Sequence, residues 1–141
     1  MKRNKKILLS PPHIGVNELK FVNKAFETNW IAPVGPNISL FEQKISEISL
    51  NYHAAALSSG TAAIHLALIL LGIKKDDEVL CSSFTFAASV NPVKYLIANP
   101  IFIDSEKESW NMCPELLEKA IKDRLKKNKK PKAIILVHLY G

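Results

Sequence analysis

Hydrophobic positions along this chain change their spacing after the N-terminal third. They first recur every three or four residues, as in amphipathic helices, and later form short apolar runs, as in buried strands. The predicted helices cover about residues 17–28, 38–50, 61–71, 87–97 and 114–127. The predicted strands cover about residues 54–57, 78–81, 100–103 and 133–137. A loop with two prolines and a glycine, residues 29–36, separates the first two helices.

Strands and helices alternate from residue 53 onward, a pattern that predicts an α/β fold with a parallel, doubly wound sheet. We therefore divide the chain into an N-terminal helical segment, residues 1–52, and the first part of an α/β domain, residues 53–141. In such a sheet ligands bind at the carboxyl ends of the strands. The loops that follow Leu57, Cys81, Ile103 and Val137 are thus the expected places for chemistry.

The last apolar run, residues 134–137, has the β-branched composition of a buried central strand. A central strand needs neighbours and a covering helix, and the sequence ends at Gly141. We therefore expect these residues to be the first part of a larger α/β enzyme.

The net charge of +6 lies mainly in residues 2–6 and in the run 122–132. We expect a frayed tail and a solvated helix end, and no nucleic acid partner, because no aromatic residue interleaves the run. The only apolar run near the N-terminus, residues 7–9, is too short for a signal peptide or a membrane span. The expected location is the cytoplasm, with no membrane partner.

The two cysteines, Cys81 and Cys113, have no CxxC spacing and no histidine at metal-binding distance in sequence. We expect unpaired thiols in a reducing compartment and no metal site.

Two loops offer complementary chemistry. Ser58-Ser59-Gly60-Thr61 joins a predicted strand to a helix, where free N–H groups bind phosphate. Phe86 follows the next strand, and its ring can stack on a flat heteroaromatic ring. Taken singly, the first is a helix cap and the second a core residue; together they suit a flat phosphorylated cofactor.

The strings SSGTAAIHLAL, CSSFTFAASVNPV, NPIFID and KPKAIILVHLYG, in this order, resemble the DegT/DnrJ/EryC1/StrS family of pyridoxal phosphate-dependent sugar-nucleotide aminotransferases. The segments LSPPHIG and TNWIAPVG are most similar to the branch that makes UDP-4-amino-4,6-dideoxy-N-acetylglucosamine on the route to bacillosamine.

The resemblance implies the large domain of the aspartate aminotransferase fold, in its N-terminal part, with a parallel-rich sheet flanked by helices. It implies pyridoxal 5'-phosphate as cofactor, glutamate and a UDP-linked keto sugar as substrates, and a homodimer in the full-length form. Gly60 and Thr61 would hold the cofactor phosphate, Phe86 would stack on its ring, and His138 would either line the pocket or fix the turn. The residues implied at the sugar nucleotide are Asn29, Trp30, Ile31, Ala32 and Gly60.

The Schiff-base lysine and the carboxylate that pairs with the pyridine nitrogen match no residue of this chain, and neither Lys74 nor Lys94 takes the place of the lysine. We expect no catalytic residue in this chain and no activity of the chain alone. Two alternatives stay open: a non-catalytic assembly partner, and another nucleotide-binding α/β module, although GxGxxG and GxxxxGK are absent from the sequence. Ile97 stands where relatives usually have the glycine of a turn. We expect this difference to alter only local packing.

Overall fold

The computed structural model describes residues 6–139, which divide into two compact units between Ala56 and Leu57. The first unit contains helix α1 (Glu18–Glu27) and helix α2 (Pro36–Ile48), close to their predicted bounds. Neither helix has a buried residue within the described chain, and large side chains such as Phe26 and Phe41 are exposed. The apolar faces of both helices are therefore free for contact. The predicted division into an N-terminal helical segment, residues 1–52, and the first part of an α/β domain, residues 53–141, stays a prediction.

The second unit is an α/β layer structure, as predicted. Its elements are α3 (Gly60–Leu70), β1 (Glu78–Ser82), α4 (Asn91–Tyr95), β2 (Asn99–Ile103), α5 (Pro114–Lys126) and β3 (Ala133–Ile135). The strands form a parallel sheet in the order β2-β1-β3, with Leu80 of β1 opposite Ile101 on one side and Ile134 on the other. The predicted parallel sheet is confirmed for these three strands.

The central strand β1 is buried on both faces, and its successive side chains enter different cores. Val79 and Cys81 belong to the cluster that includes Leu68 of α3 and Val93 of α4. Leu80 belongs to a second cluster, against which α5 packs. Because helices cover both faces, the run of apolar residues needs no polar alternation.

Three predicted elements differ in the structure. Residues 54–57 pair with no strand among the described residues, and a strand exists only through its neighbours. The helix expected at residues 87–97 is a 3-10 turn (Ala87–Ser89) followed by the short α4, with Pro92 in the first turn of α4. A proline lacks the N–H that would bond to the preceding turn, so it favours a helix start. The last strand ends at Ile135, two residues early.

No helix in residues 6–139 combines the length and the apolarity needed to cross a bilayer.

Helix α4 ends in a Schellman motif, in which two N–H groups turn back onto the last helical carbonyls. Ile97 N–H donates to the Lys94 carbonyl at 3.0 Å, and Ala98 N–H donates to the Val93 carbonyl at 3.1 Å. The motif places Ile97 in the left-handed region with φ +56°, and its side chain is 61% exposed. The expectation that Ile97 alters only local packing was therefore wrong, because an isoleucine in place of a glycine strains the backbone here.

Replacing Ile97 by glycine is expected to raise the free energy of unfolding by about 1 kcal/mol, because glycine adopts this conformation without a Cβ clash. The matched control is Gly72→Ala, since Gly72 takes the same place after α3 with φ +73°. That change is expected to lower stability by about 1 kcal/mol. Urea unfolding of the purified chain, followed by circular dichroism, measures the free energy of unfolding of both variants. A loss of stability in Ile97→Gly would contradict the inference that the backbone is strained at Ile97.

Candidate functional site

The carboxyl ends of the three parallel strands meet at one edge of the sheet, so the segments after Ser82, Ile103 and Ile135 lie together there. Three of the four loops predicted to carry chemistry follow these strands. The fourth, after Leu57, follows no strand in the described chain but leads directly into α3.

Side-chain hydrogen bonds connect these loops. Ser82 Oγ accepts a hydrogen bond from the Val137 N–H at 3.3 Å, which ties the segment after β3 to the end of β1. Ser83 Oγ donates to Asp104 Oδ1 at 3.2 Å, which ties the loop after β1 to the loop after β2. Asp104 also accepts from the Ser105 N–H at 2.8 Å, the contact of a turn-starting aspartate. The edge is thus a connected surface.

The N-terminus of α3 carries the predicted phosphate loop. Ser59 is the helix cap, because its backbone is extended and its Oγ accepts a hydrogen bond from the Ala62 N–H at 3.1 Å. The N–H groups of Gly60 and Thr61 bond to no acceptor among the described residues. A Cβ at Gly60 would meet nothing within 4 Å, so the space in front of it is open. Unbonded amides at a helix start, beside an open Cβ position, fit a phosphate group.

Phe86 is the aromatic residue predicted to stack on the cofactor ring. Its ring is 74% exposed, so the alternative that it is a core residue is wrong for the described chain. Phe86 stands at the start of the 3-10 turn Ala87–Ser89, and that turn packs against α3. The fold therefore joins the segment with the predicted stacking ring to the helix with the predicted phosphate loop.

His138 follows Val137 at the same edge and is exposed. The Ser82 contact fixes the backbone immediately before it. Both roles predicted for His138, lining the pocket and fixing the turn, stay predictions. Tyr140 and Gly141, the last two residues of the HLYG motif, lie outside the described residues.

The proposed substrate loop belongs to the first unit and follows α1. Asn29 adopts a left-handed conformation with φ +58°, and the Trp30 N–H donates to the Ala25 carbonyl at 2.9 Å. Trp30 lies over Gly35, where an added Cβ would approach Trp30 Cε3 to 2.9 Å. Trp30 also lines a cavity of about 260 Å³, together with Phe21, Lys24, Ala25, Thr28, Pro36, Asn37 and Leu40. Ile31 and Ala32 line a neighbouring surface depression.

The thiols have separate environments. Cys81 is fully buried in β1, and burial raises the pKa of its thiol to about 11. A neutral buried thiol is a poor nucleophile. Cys113 is half-buried before α5, where its Sγ donates to Glu115 Oε2 at 3.1 Å and lowers the pKa of that carboxyl.

His65 and Lys94 have ordinary structural contacts. His65 is half-buried with its ring edge-on to Tyr95, 5.4 Å between centroids, as in a packed histidine. Lys94 is exposed, and its Nζ donates to the Ala98 carbonyl at 3.2 Å.

The helix cap predicted for the loop Ser58-Ser59-Gly60-Thr61 is confirmed at Ser59. The hydrogen bonds between the loops were not predicted. Ser82 and Ser83 gave no signal, because their partners lie 55 and 21 residues away in the chain.

A family model described as the DegT/DnrJ/EryC1/StrS aminotransferase family matches residues 12–141. EpsN of Bacillus subtilis, described as a pyridoxal phosphate-dependent aminotransferase, is 51% identical over 138 residues, which are 98% of this chain and 36% of EpsN. GDP-perosamine synthase of Escherichia coli O157:H7 is 42% identical over 130 residues, 92% of this chain and 34% of the synthase. The crystal structure of a DegT DnrJ EryC1 StrS aminotransferase from Brucella abortus superimposes with a TM-score of 0.79 at 36% identity, covering 89% of this chain and 34% of that one.

The fold is thus that of the pyridoxal phosphate-dependent aminotransferases, in its N-terminal part. The chain belongs to the DegT/DnrJ/EryC1/StrS aminotransferase family. It spans about a third of the length of the curated relatives that it matches.

Proposed function

We propose that this chain supplies the phosphate loop, the ring-stacking residue and a substrate loop of a sugar-nucleotide aminotransferase. The observation that carries the proposal is the N-terminus of α3. The N–H groups of Gly60 and Thr61 bond to no acceptor there among the described residues, and a Cβ added at Gly60 would meet nothing within 4 Å. The turn with the exposed Phe86 ring packs against the same helix. When bound, pyridoxal 5'-phosphate supplies the electron sink that lets an amino group pass from glutamate to a keto sugar.

In this proposal Gly60 and Thr61 bind the phosphate through backbone N–H groups, and the partial positive charge at the helix start favours the dianion. Phe86 covers one face of the cofactor ring and excludes water from it. His138 stands at the edge where the ring would lie, either in contact with it or holding the turn.

The loop Asn29–Ala32 is the proposed contact for the sugar nucleotide, as is Gly60. The likeness of this loop to the bacillosamine branch supports a UDP-linked 4-keto sugar. A GDP-linked sugar is the second candidate, because three relatives are named GDP-perosamine synthase. The exposed apolar faces of α1 and α2 support a homodimer, since such surfaces are commonly covered in an assembly. We propose the cytoplasm as the compartment.

We further propose that the chain alone transfers no amino group, because its residues that match the family motifs bind and orient but include no Schiff-base lysine. A purified sample of the chain is expected to form no aminated sugar from glutamate above a protein-free control. Turnover by the chain alone would contradict this part of the proposal.

A chimera tests the proposed function directly. This chain would replace the matching segment of the Escherichia coli GDP-perosamine synthase, and the product would be compared with the unmodified synthase for size, circular dichroism and cofactor content. We expect the chimera to bind pyridoxal phosphate and to aminate a 4-keto sugar nucleotide with glutamate. Activity of the chimera with a UDP-linked 4-keto sugar that the unmodified synthase does not aminate would support the UDP-linked substrate. A folded chimera that binds no cofactor would contradict the proposal.

A further inference from the structure

Packing alone does not fix the orientation of the Phe86 ring. It is 74% exposed and has no aromatic partner among the described residues. The 3-10 turn that follows it spans only three residues, Ala87–Ser89, and short 3-10 segments are weak on their own. The direction of the ring therefore depends on the backbone of Phe86.

Two hydroxyl side chains close a loop around that backbone. Thr85 Oγ1 donates to Ser89 Oγ at 2.8 Å, and both side chains are half-buried. The Ser89 N–H also donates to the Phe86 carbonyl at 2.9 Å. The alternative acceptor for the Thr85 hydroxyl proton, the Phe86 carbonyl, is farther away at 3.4 Å. Thr85 precedes Phe86 and Ser89 follows it, so the hydrogen bond between their side chains links the two sides of the Phe86 backbone.

We propose that Thr85 and Ser89 are positioning residues, which hold Phe86 in the orientation that stacks on the cofactor ring. This inference rests on the proposed function of Phe86. The link restricts the loop before the ligand arrives, so binding loses less conformational freedom. Neither hydroxyl needs to touch the cofactor for the effect.

The test measures the dissociation constant of pyridoxamine 5'-phosphate in the chimera by fluorescence. This form of the cofactor carries an amine, so it forms no Schiff base and reports binding alone. Thr85→Val keeps the side-chain shape and removes the hydroxyl, and Ser89→Ala removes the acceptor. Each is expected to weaken binding about five- to tenfold, the effect of one hydrogen bond. Thr85→Ser should restore affinity to within about twofold.

The control Ser109→Ala removes a hydroxyl contact to Glu106 in the turn before α5, outside the loop of Phe86. A loss for Ser109→Ala as large as that for Thr85→Val would overturn the inference.

A double-mutant cycle separates positioning from a general structural role. Thr85→Val should lose its effect when Phe86 is already alanine, because there is then no ring to position. The same loss in both backgrounds would overturn the inference. If Phe86→Ala weakens binding while Thr85→Val and Ser89→Ala do not, only the inference fails. If Phe86→Ala itself has no effect, the proposed stacking role fails, and the inference falls with it.

Discussion

Replacing Glu78 by glutamine is expected to lower the free energy of unfolding by about 2 kcal/mol. Glu78 begins the central strand β1 and is only 5% exposed. Its Oε1 lies 3.5 Å from Arg124 Nη1 of α5 and 3.7 Å from Lys129 Nζ. Without the carboxylate, the Arg124 side chain, itself 18% exposed, loses its buried counter-charge.

The size of this effect follows from the burial of each partner. Removing one member of a fully buried pair costs about 3–5 kcal/mol. The Lys129 side chain is 62% exposed, and Glu78 Oε2 has no hydrogen-bond partner among the described residues. We therefore expect Glu78→Gln to lose less stability than the disruption of a fully buried pair.

The matched control is Glu118→Gln on α5, the helix that carries Arg124. Glu118 pairs with Lys122, and both side chains are about two-thirds exposed, at 67% and 66%. Exposed pairs of this kind contribute little to stability, so we expect no measurable change in the urea midpoint. Equal losses for the two variants would show that burial of Glu78 does not set the energy of the pair.

The basic run 122–132 shows where sequence reasoning about charge reaches its limit. The charge pattern predicts a solvated helix end, and Lys126 and Lys127 are indeed exposed. Arg124 is the exception, because it turns inward to Glu78. That partner stands 46 positions earlier in the chain, so the local pattern of charges does not indicate the contact.

The fold could be predicted wherever local sequence and tertiary packing agree. The apolar runs of β1 and β2 and the periodic pattern of α5 predict bounds within one residue of those observed. The prediction was wrong for residues 54–57, since pairing is a property of two segments and an apolar run identifies only one. It was also wrong at residues 87–97, where the pattern predicts one continuous helix and Pro92 instead begins a new one.

The candidate site divides in a similar way. Loop chemistry and resemblance single out Gly60, Thr61 and Phe86, and the structure puts their segments on packed elements. The hydrogen bonds of Ser82 and Ser83 depend on which strands become neighbours, which one sequence does not reveal. The link between Thr85 and Ser89 is local, but it spans a 3-10 turn that stands where the pattern predicts the start of a regular helix.

Replacing Phe86 by alanine is expected to weaken the binding of pyridoxamine 5'-phosphate to the chimera about thirtyfold, or about 2 kcal/mol. The loss comes from the apolar area and the stacking geometry that a flat ring provides, and Phe86→Tyr should retain most of both. Fluorescence titration measures each dissociation constant, and circular dichroism checks that the variants fold.

Phe102→Ala is the matched control for this prediction. Phe102 is also an exposed phenylalanine of the second unit, at 58%, but it lies within β2 and precedes the carboxyl edge by one residue. Its removal should change the affinity less than about twofold, since surface substitutions away from a site have small effects. A similar loss for both variants would mean that Phe86 acts through general stability, and the proposed stacking on the cofactor ring would have to be abandoned.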